Sequence, residues 1–197
     1  CNDNDEELTL TFKQLKERTD RVAAFMMKMG IKRGDFVMLI LQRRYEFWLS
    51  IIALHKIGAS VIPATHMLTT EDIVYRCNAA GIKHVFAVND REIFKYIEDS
   101  RKEAPSLTTL VGVAPFGIDK GLDDDFLAAH PDWVDFTRGV AAVTDEDLAK
   151  FHALKREDIS KNDAVFLSYF TSGTTSHPKL VSHEYLYPLG HIVTASY

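Results

Sequence analysis

Through residues 1–114 the chain alternates between two hydrophobic rhythms. Leu15, Val22, Phe25, Met26 and Met29 recur at helical spacing after Thr11, whose hydroxyl can form a capping box with Gln14. Gly30 closes that helix. "FVMLIL", Phe36 to Leu41, is a short continuous apolar run, the kind shown by a strand buried on both faces. A second helix is predicted from Tyr45 to Ile57, stopped by Gly58, with "ASVIPA" as the next strand. "TTEDIVYRCNAAG" predicts a third helix, with Thr70 as its cap and Gly81 as its stop. "KHVFAV", Asp90 to Glu103 and "TTLVGVA" continue as strand, helix and strand. Strands alternating with helices of about 10–15 residues imply right-handed βαβ units on a parallel sheet, with helices on both faces. The expected fold class is α/β.

From Pro115 to Lys161 the rhythm breaks down. Short helices are expected near Phe126 to His130 and Glu146 to Phe151, inside an irregular excursion. The sheet is expected to resume at "AVFLSYF", Ala164 to Phe170. The chain thus divides into a βαβ part (1–114), an excursion (115–161) and a strand, loop and following segment (162–197). Met26, Met27 and Met29 read as filler along one helix. In "RRYEFW" the aromatics sit at core spacing, and Arg43 and Arg44 are expected to face water.

Composition changes this picture little. A 46% hydrophobic fraction with 26% charged residues is that of an ordinary globular chain. A net charge of -5, with no basic stripe, offers nothing to nucleic acid. No apolar run approaches the roughly 18 residues of a membrane span. The two cysteines, Cys1 and Cys77, form neither a disulfide framework nor a metal spacing and suit a reducing compartment, so a cytoplasmic location is expected. His177, His183 and His191 lie near one another without zinc-type spacing, and Asp123 to Asp125 read as a solvated turn, so no metal site is assigned. The chain opens on Cys1 and closes on "HIVTASY", which reads as a piece of a longer protein. Interior surface exposed in such a piece would favour self-association.

The densest chemistry follows the Ala164–Phe170 run. Thr171, Ser172, Gly173, Thr174, Thr175 and Ser176 come in succession, with Pro178-Lys179 behind them. Glycine lets the backbone turn sharply, and consecutive amides and hydroxyls can converge on phosphate oxygens. Lys179 adds a compact cation with three donors. Taken alone, a Ser/Thr/Gly run between two elements reads more often as a solvated loop. It is not a Walker loop, because no G-K-[ST] follows a first glycine.

"YFTSGTTSHPK" resembles the signature of the adenylate-forming superfamily, YTSGTTG-x-PKG-V. Thr171, Ser172, Gly173, Thr174, Thr175, Pro178, Lys179 and Val181 match it, while Ser176 and Leu180 stand where that signature has glycine. "TFKQLKERTDRVAAFMMKMGIKRGDFVMLIL" is similar to the family's early helix and G-[IV]-x-x-GD-x-V segment. "EFWLSIIALHKIGASVIPATHMLTTEDIVYR" is similar to its W-x-x-x-A-x-x-x-x-GA-x-x-x-P segment, and "YPLGHIVTA" resembles the acetyl- and medium-chain acyl-CoA synthetase branch.

The resemblance implies part of a larger N-terminal AMP-binding domain. It also implies a ligase that adenylates a carboxylic acid with Mg2+ and ATP and passes the acyl group to coenzyme A. Thr171, Ser172, Gly173, Thr174, Thr175, Ser176 and Lys179 would surround the ATP phosphates. The catalytic residues are expected downstream, so the 197 residues alone are expected to be inactive. Two alternatives stay open: a non-catalytic nucleotide- or phosphate-binding module, and an adenylation domain that loads a carrier protein.

Overall fold

The structure, a computed structural model, describes residues 7–89, 91–155, 157, 161–171 and 177–195. In chain order its elements are α1 (Phe12–Lys28), β1 (Phe36–Ile40), α2 (Glu46–Ile57), β2 (Ser60–Pro63), α3 (Thr70–Ala80), β3 (His84–Val88), α4 (Arg91–Ser100) and β4 (Thr109–Val113). They continue as α5 (Asp124–Ala129), β5 (Trp133–Asp135), α6 (Phe136–Ala141), α7 (Asp145–His152), β6 (Val165–Thr171), β7 (Lys179–Glu184) and α8 (Tyr187–Ala195). One seven-stranded sheet runs in the order β5-β4-β3-β1-β2-β6-β7. All neighbouring pairs are parallel except β6 and β7, which form an antiparallel hairpin at the edge.

The apolar runs become doubly buried strands because both faces of the sheet are covered. Val37, Leu39 and Leu41 point into one core with Phe86 and Val111; Met38 and Ile40 point into the other with Val85 and Ala87. The first core is closed by Val22, Phe25 and Met26 of α1, Leu49, Ala53 and Leu54 of α2, and Phe136 of α6. The second is closed by Ile73 and Cys77 of α3 and by Ile93, Phe94 and Ile97 of α4. Strand alternation thus feeds two layers of helices, the arrangement expected of a parallel α/β sheet. At Gly112 on β4 the packing leaves no room for a side chain, since a Cβ would lie 2.6 Å from Leu122 Cδ1.

Thr11 and Gln14 form the expected capping box at α1. The α3 cap differs by one residue from the sequence reading: Thr69, not Thr70, caps the helix, exchanging bonds with Asp72. The reason is chemical. Three positions after Thr69 stands a carboxylate that can return the bond, whereas three after Thr70 stands Ile73, which is core.

The 115–161 stretch carries more order than its pattern suggests. α5 and α7 fall where short helices are expected, but β5 adds a parallel strand to the sheet edge and α6 follows it directly. Trp133 of β5 stacks on Phe94 at 3.7 Å and 7°, and its indole N–H donates to Glu98 at 2.9 Å. The reading of "RRYEFW" also needs correction. Arg44 is only 3% exposed and Trp48 is 64% exposed, the reverse of the expectation for each. Burial of Arg44 is possible because Glu46, two residues on, is equally buried and meets it with two bonds, at 2.8 and 3.1 Å.

Candidate functional site: the hairpin at the sheet edge

β6 runs parallel to β2, with Val61 opposite Leu167, so Thr171 lies at the C-terminal edge of the sheet. That is the edge at which open α/β sheets bind ligands. β7 returns antiparallel, pairing Phe170 with Leu180 and Thr171 with Lys179. Directly paired strand residues lie roughly 4.5–5.5 Å apart, so the two ends of the 172–178 loop are held close together. Thr171 Oγ1 donates to the Lys179 carbonyl at 3.3 Å across this mouth, and the Ser168 and Ser182 hydroxyls meet 2.8 Å apart further down.

Of the residues read from sequence as phosphate ligands, Thr171 and Lys179 are therefore brought face to face. Both are solvent-exposed. Ser172, Gly173, Thr174, Thr175 and Ser176 lie outside the described residues. No carboxylate among the described residues lies within ion-pair distance of Lys179.

Several residues that sequence reasoning did not connect with the loop support the hairpin. Tyr75 on α3 donates its hydroxyl to the Pro178 carbonyl at 2.8 Å and stacks its ring on His177. The Arg76 guanidinium lies 5.3 Å from the Phe170 ring centre, and its Nη1 has no hydrogen-bond acceptor among the described residues. These contacts join residues about a hundred positions apart, which no local pattern reports. A separate depression of about 510 Å³ opens at the ends of β1 and β2, lined by Gln42, Arg43, Phe47, Thr65 and His66. Gln42 there holds a φ of 48°, a left-handed conformation that sequence does not announce.

At the opposite end of the hairpin, His55 of α2 stacks on Phe166 at 3.5 Å. Its Nε2–H donates to the Phe166 carbonyl at 3.2 Å, and the Tyr185 hydroxyl donates to the His55 carbonyl at 3.2 Å. The Phe166 bond opposes the effect of burial without cancelling it, and burial pulls the imidazole down to about 4 from 6.5. A folded value below the unfolded one means the unfolded chain takes up the proton first. Stability from neutral His55 is therefore complete above about pH 6.5 and falls as the pH drops toward 4, by about 2 kcal/mol at pH 5. Buried His84, also lowered by burial, acts in the same direction. Thermal unfolding of the wild type and of His55→Phe, compared at pH 7 and pH 5, isolates the His55 share. The variant is expected to lose less stability on acidification, and equal losses would refute the assignment.

No helix among the described residues is long and apolar enough to cross a membrane. The profile of a family described as "AMP-binding enzyme" matches residues 2–195. Acyl-coenzyme A synthetase ACSM5, mitochondrial, of Rattus norvegicus is 28% identical over 98% of this chain and 30% of its own length. Acyl-coenzyme A synthetase ACSM4, mitochondrial, of Mus musculus is 30% identical over 93% of this chain and 28% of its own. The chain thus spans about 30% of the length of these curated relatives. The crystal structure of the anthranilate CoA ligase AuaEII with anthranoyl-AMP superposes with a TM-score of 0.72 at 20% identity, over 91% of this chain and 31% of that one, a likeness of fold. The β6–β7 hairpin that pairs Thr171 with Lys179, the single sheet covered by helices on both faces and a match running from residue 2 to residue 195 agree, and the chain belongs to the AMP-binding enzyme family.

Proposed function

We propose that this chain is the N-terminal part of an ATP-dependent acid–thiol ligase that activates a carboxylic acid as its adenylate and transfers the acyl group to coenzyme A. The observation that carries this reading is the register of Thr171 with Lys179, which puts a hydroxyl and a cation on either side of a seven-residue loop at the ligand-binding edge of the sheet. Thr171, Ser172, Gly173, Thr174, Thr175, Ser176 and Lys179 would enclose the β- and γ-phosphates. In the first half-reaction the carboxylate attacks the α-phosphorus and pyrophosphate leaves. Charge grows on the departing group, so donors fixed in advance around it lower the barrier.

The division into a βαβ part, an excursion and a loop segment within a larger N-terminal domain belongs to the same proposal. So does self-association of the isolated piece, supported by the exposed Val181, Leu186, Leu189 and Ile192 on β7, the following turn and α8. Among the described residues no three His, Cys, Asp or Glu side chains cluster to seat a metal. Mg2+ enters this proposal as the companion of ATP. The cysteine content supports a reducing compartment such as the cytoplasm, while the relatives named above are mitochondrial proteins.

The test is acid-dependent ATP–pyrophosphate exchange by the intact protein, with hydroxylamine to trap acyl-adenylate, over short-chain, medium-chain and aromatic acids. Exchange, trapped hydroxamate and AMP release on adding coenzyme A are the expected results. ATP binding without exchange would leave a nucleotide-binding module. Exchange that coenzyme A cannot discharge would point to an adenylation domain serving a carrier protein.

A further inference from the structure

The two legs of the hairpin are gripped by adjacent residues of one helix. Phe170, just before Thr171, lies under the Arg76 guanidinium at 5.3 Å and meets the Tyr75 ring edge-on at 6.1 Å. On the other leg, Pro178, just before Lys179, accepts the Tyr75 hydroxyl at 2.8 Å. His177 lies against the same ring at 4.9 Å and 17°. Tyr75 thus touches both sides of the loop within one or two residues of where it leaves the sheet. α3 is itself fixed, capped by Thr69 and packed through Ile73 and Cys77 into the core.

We infer that Tyr75 is a positioning residue for the phosphate loop, setting the separation and direction of its two stems so that Thr171 and Lys179 stand in place before ATP arrives. The inference rests on the proposed phosphate-binding role of the loop. Stems that are free lose more conformational freedom when a ligand is bound between them, and that loss lowers affinity. Holding the Pro178 carbonyl and the His177 ring removes part of it. Tyr75 touches no reacting atom. Its removal therefore weakens ATP binding more than it slows turnover.

The experiment is ATP-dependence of pyrophosphate exchange in the intact protein, with Tyr75→Phe, Tyr75→Ala and Lys179→Ala alongside wild type. Tyr75→Phe keeps the ring contacts and loses one neutral hydrogen bond, so KM for ATP should rise about three- to tenfold with kcat nearly held. Tyr75→Ala loses the ring as well and should raise KM further, so the order Tyr, Phe, Ala is part of the prediction. Amide hydrogen exchange at residues 179–181 should quicken in the same order without ATP. Lys179→Ala with undiminished exchange would sink the phosphate-loop reading itself. An impaired Lys179→Ala beside Tyr75 variants of unchanged KM would overturn the positioning role alone, as would variants that lower only kcat and melting temperature. Should Tyr75→Ala fail to fold, the KM of Tyr75→Phe decides.

Discussion

Lys179→Ala in the intact protein is expected to slow acid-dependent pyrophosphate exchange by about 100-fold, the usual cost of losing one preorganised donor to a developing oxyanion. Lys179 is the first residue of β7, and its backbone is fixed by pairing with Thr171 while its side chain stays exposed. A root fixed by that pairing holds the ammonium close to where charge builds on a departing pyrophosphate. The loss should fall mainly on kcat, because the leaving group carries more charge in the transition state than in bound ATP. That separates Lys179 from Tyr75, whose loss falls on KM. Lys179→Arg keeps the charge but presents a planar fork on a different stem, so it should recover part of the rate. High salt should weaken the wild type toward the alanine variant, since an exposed cation is screened. Unchanged exchange in Lys179→Ala would remove the lysine from the reaction.

Which features could be read in advance follows from how locally each is determined. Residues 37–40 of β1 and all of β3 are fully enclosed, so their sequences carry no polar residue that would blur the pattern, apart from His84 at the start of β3. Capping at Thr11 was legible because both partners lie within four residues. β5 was not, because three residues are too few for a period, and its place is set by Trp133 stacking on Phe94 from another helix. β7 reads "KLVSHE", mixed in character because it is an edge strand with little covering it, and only its pairing with β6 makes it a strand.

The site divides in the same way. The order of Thr171, Pro178 and Lys179 was legible as a motif. That Thr171 and Lys179 are paired, and that Tyr75 holds Pro178 from 103 positions away, depends on the sheet order. Arg44 carries a local signal for burial: a glutamate two residues on, able to neutralise it inside the protein.

That pair gives the largest expected effect on stability. Arg44 and Glu46 have side chains 3% and 0% exposed, and Arg44 Nη2 also donates to the Gly117 carbonyl at 2.6 Å. Nearby, Arg18 grips Asp119 with two bonds and Tyr45 donates to the same carboxylate at 2.9 Å, so this cluster pins the turn after β4 to α1 and α2. Removing one member strands the other as a buried charge, at about 3–5 kcal/mol, or a fall in melting temperature on the order of 10 °C. The two single variants should differ in their response to pH. Glu46 already has its pKa raised by burial, against the pull of Arg44. In Arg44→Met it can escape by taking up a proton, so the deficit relative to wild type should shrink as the pH falls from about 8 to about 5.5. In Glu46→Leu the stranded guanidinium cannot give up its proton, and the deficit should hold across that range. The double variant Arg44→Met/Glu46→Leu should recover much of the loss but not all, because the Gly117 carbonyl still lacks its donor. Equal, pH-independent deficits in both single variants would mean that Glu46 is not desolvated as the structure has it.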